Sequence, residues 1–242
     1  MHQRIVVGIG TLVLAGCVTM EDVSVRGTVF ASPAGEVPLA DATVILRDVR
    51  GKIYDRGRSD GDGAFVVAAP PASDIVAEVQ AEGYASAAFA GVTGEDPVFK
   101  VPDGTLYALR DDERATWEED FAGCPGIGSG GAVLGEIRVR ELTEPDSDVH
   151  AIVTAGSVEL AMDSGESLSG CYLDDEGLGW QEGREVTGET GRFAIFGVPP
   201  GFGTLTVRYA YTPNTVVEDR TVVFLPDGGV SPWFPAWVSL PF

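Results

Sequence analysis

Val23-Ser24-Val25-Arg26-Gly27-Thr28-Val29 places Val23, Val25, Gly27 and Val29 on one face of an extended chain and Ser24, Arg26 and Thr28 on the other. That period of two marks a half-buried strand. Working outward, turn residues cluster from Ser32 to Pro38, and then Ala42, Val44 and Leu46 alternate. Asp60-Gly61-Asp62-Gly63 makes a turn, and Phe65 and Val67 open the next strand. Pro70-Pro71 breaks it, and Ile75, Ala77 and Val79 alternate again before Gly83-Tyr84. Short strands at this spacing, punctuated by turn residues, predict an all-β sandwich.

Five of these pieces resemble, in order and spacing, the carboxypeptidase regulatory-like domain of transthyretin-like fold. They are Val25-Arg26-Gly27-Thr28-Val29, Pro38-Leu39-Ala40-Asp41-Ala42-Thr43-Val44-Ile45-Leu46, Ser59-Asp60-Gly61-Asp62-Gly63-Ala64-Phe65, Pro70-Pro71 and Gly83-Tyr84. The resemblance covers Val23 to about Thr93. A looser second copy runs through Gly135-Glu136-Ile137-Arg138-Val139, Ala155-Gly156-Ser157-Val158-Glu159-Leu160 and Thr187-Gly188-Glu189-Thr190-Gly191-Arg192-Phe193. Val198-Pro199-Pro200-Gly201 and the alternating Leu205, Val207 and Tyr209 complete it. It departs from the pattern by an insertion, Ala161 to Val186, and by lacking both Asp residues of the turn, so it is read as a divergent sandwich of the same family or another. The expected fold is two immunoglobulin/transthyretin-like β-sandwich modules in tandem, residues 23–101 and 132–242. A linker over 102–131 joins them and carries one short helix, Asp111 to Phe121, with Asp111 as N-cap. Glu118, Glu119 and Asp120 near its far end oppose the helix dipole, so it is expected to fray. Phe234, Ala236, Val238, Leu240 and Phe242 alternate and read as a closing strand, which Pro235 and Pro241 favour at a sheet edge.

Residues 1–16 have the order of a secretory leader: Arg4, then the short apolar run Ile5 to Val13, then small residues. The run is too short to span a bilayer, which takes ~20 apolar residues. Leu14-Ala15-Gly16-Cys17 resembles the lipobox of bacterial lipoproteins. The resemblance implies that the Cys17 thiol receives diacylglycerol, that the leader is removed before it, and that the new amine is acylated, palmitate being a typical chain. Two or more chains at ~0.8 kcal/mol per buried CH2 give stable anchoring. Residues 17–22 would form the tether, and the absence of Asp after Cys17 points to the outer membrane rather than inner-membrane retention. With Cys17 lipidated, Cys124 and Cys171 remain as an even pair in an oxidising compartment, which reads as one disulfide.

The chain has 242 residues, and 44% hydrophobic content is enough to fill two cores. Its 37 Asp+Glu against 16 Lys+Arg give a formal net charge of -21, which excludes nucleic acid as a partner because such binding needs a basic surface. The same charge repels anionic lipid, so membrane contact is expected through the Cys17 anchor alone.

Catalytic signals are sparse. His150 is the one histidine beyond the leader, too few for a zinc site or for the multi-histidine enzymes built on similar sandwiches. No G-x-S-x-G elbow accompanies it. Asp60 and Asp62 are read as turn-forming rather than calcium-binding, since the further ligands of a calcium loop are missing. No cofactor and no metal are expected. Recognition is expected in the insertion, where Trp180 stands among Asp174, Asp175 and Glu176 and close to Cys171, because loops on a rigid sandwich commonly carry binding. Trp180 folding back over its own loop is the competing reading. The chain therefore reads as a non-enzymatic, membrane-anchored binding or scaffold lipoprotein of the bacterial cell envelope. The alternatives are a surface accessory that binds carbohydrate or peptide through the insertion, and, behind it, a carboxylate-dependent hydrolase.

Overall fold

The structure is a computed structural model and describes residues 22–31, 37–101, 106–140, 152–212 and 214–239. Residues 1–16 (the expected leader), Cys17 and His150 lie outside the described residues. Among the described residues no helix is long and apolar enough to cross a membrane.

The N-terminal half forms β1 (Val23–Thr28), β2 (Thr43–Arg47), β3 (Ile53–Arg58), β4 (Ala64–Ala69), β5 (Asp74–Gln80), β6 (Tyr84–Ala85), β7 (Ala87–Val92), β8 (Val98–Lys100) and β9 (Leu109–Arg110). One sheet has the order β4-β1-β8, with β1 and β8 parallel, and the other has the order β3-β2-β5-β7. The alternation read from the sequence is the alternation of the core: Val25, Val44, Leu46, Phe65, Val67, Ile75, Ala77 and Val79 meet between the sheets, joined by Leu106 and Ala108. Burying each large apolar side chain of this kind contributes about 1.5–3 kcal/mol.

After α1 (Asp111–Asp120), the second half supplies β10 (Gly131–Arg140), β11 (Gly156–Met162), β12 (Ser167–Ser169), β13 (Cys171–Tyr172), β14 (Arg192–Val198), β15 (Gly201–Thr212), β16 (Thr215–Leu225) and β17 (Val230–Ser239). Its sheets have the orders β13-β14-β10-β17 and β12-β11-β15-β16, with β10 and β17 parallel. Apart from the added β13, these two sheets repeat the two main sheets of the first half, whose short β6-β9 pair stands outside the repeat. The register repeats as well, since Gly27 lies opposite Phe65 and Gly135 lies opposite Phe193. The turn before the phenylalanine strand is also shared. Gly63 and Gly191 both take positive φ (73° and 66°), and each carbonyl accepts the N–H of the residue two beyond the strand glycine, Val29 at 2.9 Å and Ile137 at 3.0 Å. In the first copy Asp60 Oδ1 accepts the N–H groups of Asp62 and Ala64 at 3.0 and 2.9 Å. The second copy keeps the turn without that aspartate because the glycine carries the left-handed backbone. Strand β17 closes its sheet at an edge, as the prolines favour.

Part of the expected insertion is ordinary sandwich. Residues 161–169 complete β11 and turn into β12, which pairs with it from Glu159 to Ala161 and occupies the place of β3. The extra chain starts at Cys171, where β13 crosses to the opposite sheet and pairs with β14. The helix also starts differently from the expectation. Arg110, not Asp111, is the N-cap, at φ -63° and ψ 147°, because its neighbour Leu109 is held extended against Ala85. Asp111, Asp112 and Glu113 then fill the first turn, where the dipole favours acids.

Residues 106–131, the described part of the expected 102–131 linker, are packed. Trp117 and Phe121, one helical turn apart, are buried with Ala85 and Leu109 of the first half and with Cys124, Leu134, Leu173, Ala194, Phe196 and Val230 of the second. Phe121 stacks on Trp117 and meets Phe196 edge-on, both at 5.9 Å between centroids. The outer face of the β3-β2-β5-β7 sheet is covered too. Val76 and Glu78 alternate with core residues yet are 0% and 4% exposed. Glu78 pairs with Arg47 and accepts from Gln80 Nε2 at 2.6 Å, beside Phe224 and Pro226 of the second half. The two sandwiches are thus locked face to face, and Val230 N–H donates to Ser86 O at 2.8 Å across the junction.

Candidate functional site

The chain between β12 and β14 is built around the disulfide. Gly170 makes the crossing between sheets, and any Cβ there would lie 2.4 Å from Val158 Cγ2. Cys171 then pairs opposite Ala194 and is disulfide-bonded to Cys124, with 6.2 Å between their Cα atoms. With a sequence separation of 47 between the partners, the cross-link restricts the unfolded chain by about 4 kcal/mol in the chain-entropy treatment. Tyr172 fixes the other side of the crossing: its Oη accepts the Val158 N–H at 2.8 Å, and burial raises its pKa.

From Leu173 onward the loop holds itself. Asp174 Oδ1 accepts the Leu178 N–H at 2.8 Å, and the Asp174 N–H donates to Gly179 O at 2.9 Å. Arg184 donates through Nη1 to Leu173 O at 2.7 Å and through Nη2 to Asp175 Oδ1 at 2.5 Å. Thr187 anchors the far end by donating to Val153 O at 2.8 Å and accepting the Gly156 N–H at 3.0 Å. Trp180 also reaches α1. Its N–H donates to Asp120 O at 2.7 Å, which satisfies one of the carbonyls a helix C-terminus leaves without a partner. Its ring lies over Gly123, where a Cβ would stand 3.0 Å from Cζ3.

Of the residues expected to bind, Asp174 and Asp175 therefore spend their carboxylates on the loop itself. Glu176 is exposed, and Leu178 beside it is 74% exposed at the tip. Trp180 is half-buried and does two things: it packs on the helix end, and it lines a cavity of about 440 Å³. The other walls are Phe196, Leu168, Ser167, Ser169 and Arg184, with Pro125, Gly126 and Ser129 contributed from across the disulfide. The sequence reading missed Arg184, although it is the only cation between Arg140 and Arg192. Phe196 carries no such signal, since it reads as one more core strand position.

Elsewhere the polar chemistry is structural. Asp60 is occupied by its turn. Glu159, Arg208, Glu218 and Arg220 form a ladder on the open face of the β12-β11-β15-β16 sheet, in which Arg208 bonds Glu159 and Glu218 at 3.0 Å each. Hydrogen bonds from Ser167 and Arg208 lower the Glu159 pKa, and those from Arg220 and Arg208 lower that of Glu218. Among the described residues no three His, Cys, Asp or Glu side chains gather as a metal-binding group.

No protein-family model matches the chain, and no curated protein sequence matches it. Solved structures align over most of it, among them these three. The Bacillus anthracis TIE protein is 14% identical with a TM-score of 0.29, over 90% of this chain and 33% of that one, so the chain spans about a third of that protein. Shaft pilin SpaA from Lactobacillus rhamnosus GG is 10% identical with a TM-score of 0.28, over 90% and 97% of the two chains. GBS52, a minor pilin of Streptococcus agalactiae, is 9% identical with a TM-score of 0.30, over 91% and 97%. These are distant alignments between β-rich chains, and the fold rests on this chain's own strand order.

Proposed function

We propose that this chain is a non-enzymatic lipoprotein of the bacterial cell envelope. In this reading it is anchored to the outer membrane through acyl chains on Cys17, and it carries two regulatory-like sandwiches as one rigid body that presents the 171–187 loop to an envelope partner. The observation that carries the reading is the joint. Trp117, Phe121, the disulfide and the covered face around Val76 turn a tandem of sandwiches into a single block. A block with a self-bonded loop suits display better than turnover, which needs carboxylates or a nucleophile free to act. Here Asp174 and Asp175 are held by the loop N–H groups and by Arg184.

Labelled palmitate incorporated by the wild-type chain and lost in Cys17→Ala, with the variant released from membranes, is the expected result. Unchanged membrane partitioning of Cys17→Ala overturns the anchor. Crosslinking in the native envelope should then capture a partner through the 171–187 loop. Turnover of a broad substrate panel, abolished by a single Asp or Glu change, would replace this reading with a hydrolase.

A further inference from the structure

We infer that the cavity beside Trp180 is a binding site for a neutral pyranose unit of a polysaccharide. The inference rests on the reading of the 171–187 loop as a recognition element and adds the chemistry it recognises. The cavity, at about 440 Å³, falls within the range of small-molecule sites. It is also preformed, because every wall is fixed: the disulfide holds the 124–130 turn against β13, Arg184 is tied at two points, and Thr187 ties the end of the loop to the second core.

Its lining selects by elimination. The one formal charge is Arg184, and Asp175 lies 2.5 Å from its guanidinium, so a carboxylate or phosphate would have to displace a partner already in place on a chain of net charge -21. A cationic ligand finds no carboxylate among the lining residues. A wholly aliphatic ligand would cover the Ser169 hydroxyl and the polar backbone of Gly183 without replacing their hydrogen bonds to water, which is costly. What remains is a neutral molecule with hydroxyl groups on its rim and an apolar face, and a pyranose ring has both. Half-buried Trp180 offers aromatic surface to the C–H face, and Ser169 and the backbone of Gly183 offer donors and acceptors to the hydroxyls. The opening of the loop at Gly183, where nothing lies within 4 Å of a built Cβ, leaves room for a chain of sugars to continue out of the site.

The test uses the purified full mature chain in its oxidised form, titrated with chitotriose, maltotriose and cellotriose, and followed by tryptophan fluorescence and calorimetry. Chitotriose represents acetylated glycans and the other two plain glucans, so the set also separates the two sources of the chemistry. Saturable binding of at least one trisaccharide is expected, weakened about tenfold or more in Trp180→Ala and unchanged in Arg220→Ala on the open sheet. Ser169→Val, which narrows the cavity without touching the joint, should weaken binding as well and serves if Trp180→Ala misfolds. The Cys124→Ser/Cys171→Ser pair should lose binding while near-ultraviolet circular dichroism still reports both cores. No saturable signal up to about ten millimolar, equal affinity in Trp180→Ala, or preference for an anionic sugar or a peptide overturns the inference. The palmitate and partitioning results above do not depend on it, so either can fail alone.

Discussion

Replacing Phe121 with Ala should turn one cooperative unit into two. Phe121 is fully buried at the junction, stacked on Trp117 and edge-on to Phe196. Truncating a buried Phe costs about 3–5 kcal/mol, and the upper part of that range holds where the surroundings cannot collapse. Here they cannot, because Cys124, three residues on, is covalently fixed to β13. A loss of about 4 kcal/mol, divided by an m-value of about 3 kcal/mol per molar urea for a chain of this size, shifts the midpoint by about 1.3 M. The loss falls on the joint and not on either inner core, so the two sandwiches should also separate in stability. The assay is urea unfolding followed in parallel by tyrosine and tryptophan fluorescence and by far-ultraviolet circular dichroism. Coincident curves are expected for the wild type and displaced curves for Phe121→Ala. A midpoint shift under about 0.3 M with coincident curves would mean that the joint does not couple the halves, and the single-block reading would fail.

Three further outcomes follow from single contacts. Glu78→Ala leaves Arg47 without its partner in the junction and should cost about 3 kcal/mol, the low end for a broken buried pair because the Arg47 side chain remains 24% exposed; Arg47→Met combined with Glu78→Leu should recover most of it, both read from unfolding midpoints. Gly63→Ala puts a Cβ 2.5 Å from Val29 O at a backbone φ of 73° and should cost about 2 kcal/mol or more, whereas Gly61→Ala, with nothing within 4 Å, should stay within about 0.5 kcal/mol. For the surface ladder, the Glu159 and Glu218 pKa values are lowered below 4.5 in the folded chain. Their contribution is therefore present above the unfolded glutamate value and is lost as pH falls through the folded one. Carboxyl chemical shifts should titrate below 4.5 at both positions and return toward it in Arg208→Ala.

The strands that carry a core were legible, because Val25, Val44, Leu46, Phe65 and Val67 must alternate to fill it. The strands that were missed lie at edges. Ile53-Tyr54-Asp55-Arg56-Gly57-Arg58 and Ser167-Leu168-Ser169 are mostly exposed or half-buried, so no apolar period marks them, and the insertion was drawn too wide for that reason. The joint was hidden differently. Asp111 to Asp120 is so rich in charge that it reads as solvated, yet Trp117 and Phe121 stand four apart, a spacing that puts two aromatics on the same side of a helix. At the candidate site Trp180 and Cys171 were visible as unusual residues in a polar loop. The serines, Arg184 and Phe196 were not, since the folded crossing at Gly170 is what brings them together.

The placement of the disulfide also orders the steps by which the chain matures. Cys171 reaches Cys124 only once β13 is paired with β14, and β14 begins at Arg192, later in the chain than either cysteine. As the chain is made from its N-terminus, both thiols emerge before the strand that aligns them. Oxidation in the native geometry must therefore wait until most of the second sandwich has been delivered, so the closed bond records that the C-terminal half arrived and folded.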